Sequence, residues 1–100
     1  SATGVVVTAR TPEEAVEKAF EGCILVAPST DRDYMPAIEK AAAVITETGG
    51  ITSHAAVVCI ELGKPAVIGV RNALGLLQDG MEVSIYGEVG IIRSGKSHVL

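Results

Sequence analysis

The sequence predicts an α/β domain, with central strands flanked by helices and a β hairpin at its C-terminal end. Three observations predict it. Short apolar runs alternate with helix-patterned stretches from Val5 to Val70. The core must be aliphatic, because 48% of the chain is apolar yet it holds one Phe, two Tyr and no Trp. Two strand-like pieces, MEVSIYG and VGIIRSG, then follow each other with no helix between them. A hundred residues without repeat, linker or low-complexity segment make one domain, 1–100, with one core.

The first strand is VVVTA, residues 5–9. Thr11-Pro12-Glu13-Glu14 then starts a helix: Thr11 caps it, the fixed φ of Pro12 suits the first turn, and Glu14 completes a capping box. Ala15, Val16, Ala19 and Phe20 share one face and the charged residues turn outward, until Gly22 ends the helix. CILVA, 23–27, is the second strand; beyond the polar PSTDRD loop lies a helix, YMPAIEKAA, capped by Asp33. VIT, 44–46, is the third strand. After the ETGGI turn a helix runs from Thr52 to Leu62 and stops at Gly63 and Pro65, and AVIGV, 66–70, is the fourth strand. NALGLLQDG, 72–80, forms a short helix closed by Gly80, and the hairpin turns at Gly87-Glu88.

Charge narrows the function classes. A net charge of -4, with eight Lys and Arg scattered along the chain, gives no basic footprint for nucleic acid. The longest apolar runs fall far short of the ~20 residues of a membrane span, so a cytoplasmic protein is expected. Cys23 and Cys59 stand singly in apolar runs, as buried reduced thiols do, and no HxxxH or HExxH pattern marks a metal site.

One stretch could do chemistry. In TGGITSH, Gly49 and Gly50 can take positive φ or let a ligand approach the backbone, between a strand and a helix. With Thr52 or Ser53 as cap, the helix presents free amides and the positive end of its dipole, which suits a phosphate or carboxylate. His54 projects from the first turn beside that place, and a helix N-terminus favours the neutral, nucleophilic imidazole. The residue types fit histidine phosphorylation, with Gly49, Gly50, Thr52 and Ser53 as phosphate binders; they fit equally an ordinary turn before a surface helix. Ser53 and His54 are adjacent on one turn and do not face each other, which excludes a nucleophile and base pair.

TETGGITSHAAVVCIELGKPAVIGV, 46–70, resembles the signature of the phosphohistidine, or mobile, domain of phosphoenolpyruvate-utilising enzymes, and GCILVAPSTDRDYMPAIEKAAAVIT before it resembles the family too. The resemblance implies a swivelling β/β/α fold in which His54 accepts and carries a phosphoryl group. The family's phosphotransferring members have an Ala-Arg pair where this chain has Cys59-Ile60. The version appended to the C-terminus of bacterial pyruvate kinases is the most similar, which implies that this is the last domain of a longer enzyme.

The expectation is therefore a structural or regulatory domain, not catalytic alone, in a parent that transfers phosphoryl between phosphoenolpyruvate and ADP. The alternative is an active phosphocarrier of a dikinase, a phosphoenolpyruvate synthase or enzyme I, with His54 phosphorylated. The resemblance further implies no cofactor in this domain, Mg2+ and a monovalent cation in the parent, and a homo-oligomeric parent. Partners would be the parent's other domains, with phosphoenolpyruvate or phosphate at the site. For Thr52, helix capping is preferred over a regulatory phosphorylation site.

Overall fold

A computed structural model describes residues 2–50 and 52–86 and the backbone of 92–94. The elements are β1 (Ala2–Thr8), α1 (Pro12–Lys18), β2 (Ile24–Ala27), α2 (Met35–Lys40), β3 (Ala43–Thr46), α3 (His54–Leu62), β4 (Ala66–Val67), α4 (Ala73–Leu76), β5 (Glu82–Ile85) and β6 (Ile92–Ser94). Among the described residues the six strands form one sheet in the order β4-β3-β2-β1-β5-β6.

Strands β1 to β4 are parallel and advance one place at a time across the sheet. Right-handed crossovers in one direction put every connecting helix on the same face, so α1, α2 and α3 lie together. Ala15, Ala37, Ile38, Ala55 and Cys59 from those helices pack on Val7, Leu25 and Val44. The chain then returns to the far side of β1. There β5 pairs antiparallel with the first half of β1 (Ala2↔Ile85), and β6 pairs antiparallel with β5 (Ile85↔Ile92). That return passes through α4, whose Ala73 joins Leu77 in covering the second face, against Val6, Ile24, Val26, Ile45, Val83 and Ile85.

With both faces covered, β2 and β3 are buried at every position, which is why they read as unbroken apolar runs. Burying one such Ile or Leu side chain is worth about 2 to 3 kcal/mol. Small residues let layers approach closely. A Cβ on Gly4 would run into the carbonyl oxygen of Gly22, so only glycine fits where β1 passes the turn before β2.

Four expectations need correction. α1 ends at Lys18, with Ala19 already extended, so Phe20 lies outside the helical period; Val16 and Phe20 are 41% and 46% exposed, and only Ala15 and Ala19 of the expected face are buried. The side chain of Glu14 accepts from the amide of Arg10, one residue before the cap, while Thr11 caps the Glu14 amide as expected. Asp31, not Asp33, is the capping acid of the second helical segment: it accepts from the Asp33 amide and opens a 3-10 turn, Arg32–Tyr34, that runs into α2. The fourth strand keeps only Ala66–Val67, because at Gly69 (φ +73) and Val70 the chain bends to hydrogen-bond with Thr46 instead of extending the ladder. The hairpin turn at Gly87-Glu88 lies outside the described residues.

Candidate functional site

The four parallel strands end on one rim, and the loops beyond β2, β3 and β4 meet there. Loops at the carboxyl ends of parallel strands are where open α/β sheets build their sites. The loop after β3 is laced to its neighbours. Glu47 and Thr48 donate their amides to the carbonyls of Ala27 (3.2 Å) and Pro28 (3.0 Å), and the Thr48 hydroxyl donates to Pro28 as well, at 3.1 Å. Thr46, almost fully buried, donates its hydroxyl to the carbonyl of Thr48 at 2.9 Å. From the other side, the Val70 amide donates to the Thr46 carbonyl at 3.0 Å. The carboxylate of Glu47 accepts from the Leu74 amide at the start of α4, at 3.0 Å.

On this base sits the glycine pair, and its members differ. Gly49 takes φ +116, where L side chains rarely go, and a Cβ there would meet the Ser53 Cβ at 3.0 Å. Gly50 has no positive φ, and among the described residues nothing beyond its chain neighbours lies within 4 Å of where its Cβ would stand. The first glycine therefore serves the turn, and the second leaves open space beside the helix end.

Ser53 is the N-cap of α3, its hydroxyl accepting from the Ala56 amide at 3.4 Å and its carbonyl from the Val57 amide at 3.0 Å. That decides between the two expected caps. Thr52 is exposed and lies before the capping residue, so the preferred capping role does not belong to it. The helix closes at Gly63 in the left-handed conformation, as the sequence implies.

His54 is the first residue of α3 and is partly buried. Its Nδ1 lies 2.9 Å from Thr30 Oγ1, a residue of the loop after β2. Sequence reasoning missed Thr30. The two residues are 24 positions apart, and only the pairing of β2 with β3 brings their loops together. With Nδ1 engaged, Nε2 is the nitrogen left for a ligand. The first turn of a helix carries amides without intrahelical partners and the positive end of a dipole, so a phosphate beside Nε2 would meet favourable potential.

The expected residues Gly49, Gly50, Thr52, Ser53 and His54 thus cluster at one helix end. The two cysteines are elsewhere, buried under the helices. Burial is the main cause that raises both thiols, Cys59 to about 11, which keeps them protonated and inert. Among the described residues no three His, Cys, Asp or Glu side chains come together as a metal site would need.

Comparison with known proteins gives consistent matches. The family "PEP-utilising enzyme, mobile domain" matches residues 19–90. The pyruvate kinase of Geobacillus stearothermophilus is 55% identical over 100 residues, the whole of this chain and 17% of that protein. A probable phosphoenolpyruvate synthase of Archaeoglobus fulgidus is 48% identical over 84 residues, covering 84% of this chain and 11% of its own length. Among solved structures, the solution structure of an Enzyme I protein superposes with a TM-score of 0.66 at 25% identity, over 82% of this chain and 35% of that one. The chain spans about a sixth of the length of its pyruvate kinase relative.

Proposed function

The chain belongs to the family of PEP-utilising enzyme mobile domains, and from that premise we propose that it is the C-terminal domain of a bacterial pyruvate kinase, serving there as a structural or regulatory module. Its fold is the β/β/α fold of such swivelling domains. The observation that carries the reading is the 55% identity to a pyruvate kinase over all 100 residues. Cys59-Ile60 supports it, since the Ala-Arg pair of phosphotransferring members is absent and Ile60 is 51% exposed.

In this reading the parent transfers phosphoryl between phosphoenolpyruvate and ADP in its own body. Gly49, Gly50, Thr52, Ser53 and His54 form a phosphate-binding niche through which a phosphate-bearing ligand acts on the parent. In the same reading the parent uses Mg2+ and a monovalent cation in its own body. The parent is a cytoplasmic homo-oligomer that engages neither nucleic acid nor membrane, and this domain's partners are its other domains. The test is kinetic: His54→Ala in the full-length enzyme should leave the pyruvate kinase rate unchanged while altering its response to added phosphate. A lost basal rate, or an unchanged phosphate response, would sink the regulatory reading.

A second reading has its own observation, the Thr30–His54 contact. It leaves Nε2 as the nucleophile of a working phosphocarrier. The Nε2 lone pair would attack phosphorus as the bond to the leaving oxygen breaks, while the proton stays on Nδ1, donated to Thr30 Oγ1. The full-length protein with labelled phosphoenolpyruvate would then gain an acid-labile, alkali-stable phosphate that is absent in His54→Ala. Without such labelling the carrier reading fails.

A further inference from the structure

We propose that Arg71 supplies the positive charge of the phosphate niche, from the side of the site opposite Thr30. The inference rests on the phosphate-binding reading of Gly49 to His54 and adds to it a binding residue and a preference for multiply charged anions.

Strand order places the loop that carries Arg71. Across the sheet in the order β4-β3-β2, the niche loop follows β3, Thr30 meets His54 from the loop after β2, and Arg71 stands in the loop after β4. That last loop is tied to the niche loop on both sides of Arg71. Before it, the Val70 amide donates to the Thr46 carbonyl at 3.0 Å, and a Cβ on Gly69 would come within 3.6 Å of the Gly49 carbonyl oxygen. After it, the Leu74 amide donates to the Glu47 carboxylate at 3.0 Å. The backbone at Arg71 is thus held beside the glycine turn. Its side chain is exposed and makes no hydrogen bond or ion pair among the described residues.

Charge gives the reason for a cation here. A phosphate group carries about -1.5 to -2 charges at neutral pH, whereas a helix end contributes only about +0.5. Gly49, Gly50, Thr52 and Ser53 bring no charge, and the carboxylate of Glu47 adds a negative one beside the turn. The deficit calls for a full positive charge.

Three arginines lie in loops on this rim, and their surroundings differ. Arg10 follows β1, two strands away from β3, and Arg32 stands between Asp31 and Asp33, which offset it. Arg71 is the only charged residue from 65 to 78. Its guanidinium is a planar fork that matches two phosphate oxygens at once.

Titration of the full-length enzyme with inorganic phosphate at constant ionic strength, read as the response of the pyruvate kinase rate, tests this. Arg71→Gln should raise the half-effect phosphate concentration about tenfold. Arg71→Lys keeps the charge without the fork and should lie between Arg71→Gln and wild type. Chloride should not replace phosphate. An equal half-effect concentration in wild type and Arg71→Gln would overturn the proposal, as would an Arg71→Lys enzyme as impaired as Arg71→Gln, or chloride as effective as phosphate. His54→Ala separates the two levels: an enzyme with no phosphate response, or one that keeps it in His54→Ala, sinks the niche reading and this proposal with it. A response lost in His54→Ala but unchanged in Arg71→Gln sinks the proposal alone.

Discussion

Thr30 Oγ1 and His54 Nδ1 lie 2.9 Å apart, which joins the loop after β2 to the first residue of α3 and fixes the imidazole by the nitrogen nearer the backbone. Either atom can donate in this contact, and the carrier reading requires the proton on Nδ1, donated to Thr30, with Nε2 bare. Long-range 15N correlation spectra should show that single tautomer. Thr30→Val should give a mixture of tautomers and, if His54 is labelled by phosphoenolpyruvate, slow the labelling about fivefold, the worth of one net hydrogen bond. An unchanged tautomer in Thr30→Val would contradict this role.

The glycine pair should separate under substitution. Gly49→Ala should destabilise the chain by about 2 kcal/mol, since alanine would need positive φ against Ser53. Gly50→Ala should move stability by no more than about 0.5 kcal/mol, because its Cβ enters open space. Urea midpoints of the two variants read the difference. Any loss of phosphate-dependent stabilisation in Gly50→Ala then reports ligand approach.

Lys64 should matter through one ammonium group. Its Nζ donates to the carbonyls of Ile38 (2.9 Å), Glu39 (2.7 Å) and Ala41 (2.7 Å), closing the C-terminal end of α2 from the turn after α3. Lys64→Met keeps the stem but removes the ammonium donor from the partly buried carbonyl of Ala41 and leaves that of Ile38 with the Ala41 amide alone, at a cost of about 2 kcal/mol. Chemical denaturation should show it, and a midpoint equal to wild type would refute the capping role.

Asp79 sets an acid limit. The hydrogen bond from Lys18, followed by the Thr8 amide, holds its carboxyl below the ordinary 3.8. A folded-state pKa lower than the unfolded one makes the unfolded chain bind protons first, so the contribution is complete above 3.8 and lost as pH falls through the folded value. Asp79→Asn should flatten the fall in stability below pH 3.8 and change little of the slope at neutral pH. An identical acid limb in both proteins would exclude Asp79 as its source.

Much of the fold was legible because its signals are local. Buried parallel strands are continuous apolar runs, and Thr11, Pro12, Ser53 and Gly63 mark helix ends through short-range hydrogen bonds and backbone geometry. Periodicity misled where an element stopped early. Phe20 keeps helical spacing with Val16, but the chain has already turned extended at Ala19. Asp31 and Asp33 both suit a cap on composition, and only the 3-10 turn chose between them.

The sequence by itself determined the alternation of strand and helix, the cluster from Gly49 to His54 and its likeness to a phosphate-handling family, since all of these depend on neighbours along the chain. Tertiary structure alone decided that Thr30 holds His54 and that Lys64 closes α2. Those facts depend on strand order and on which loops it brings together, and residues 23 to 26 positions apart carry no local signal of meeting.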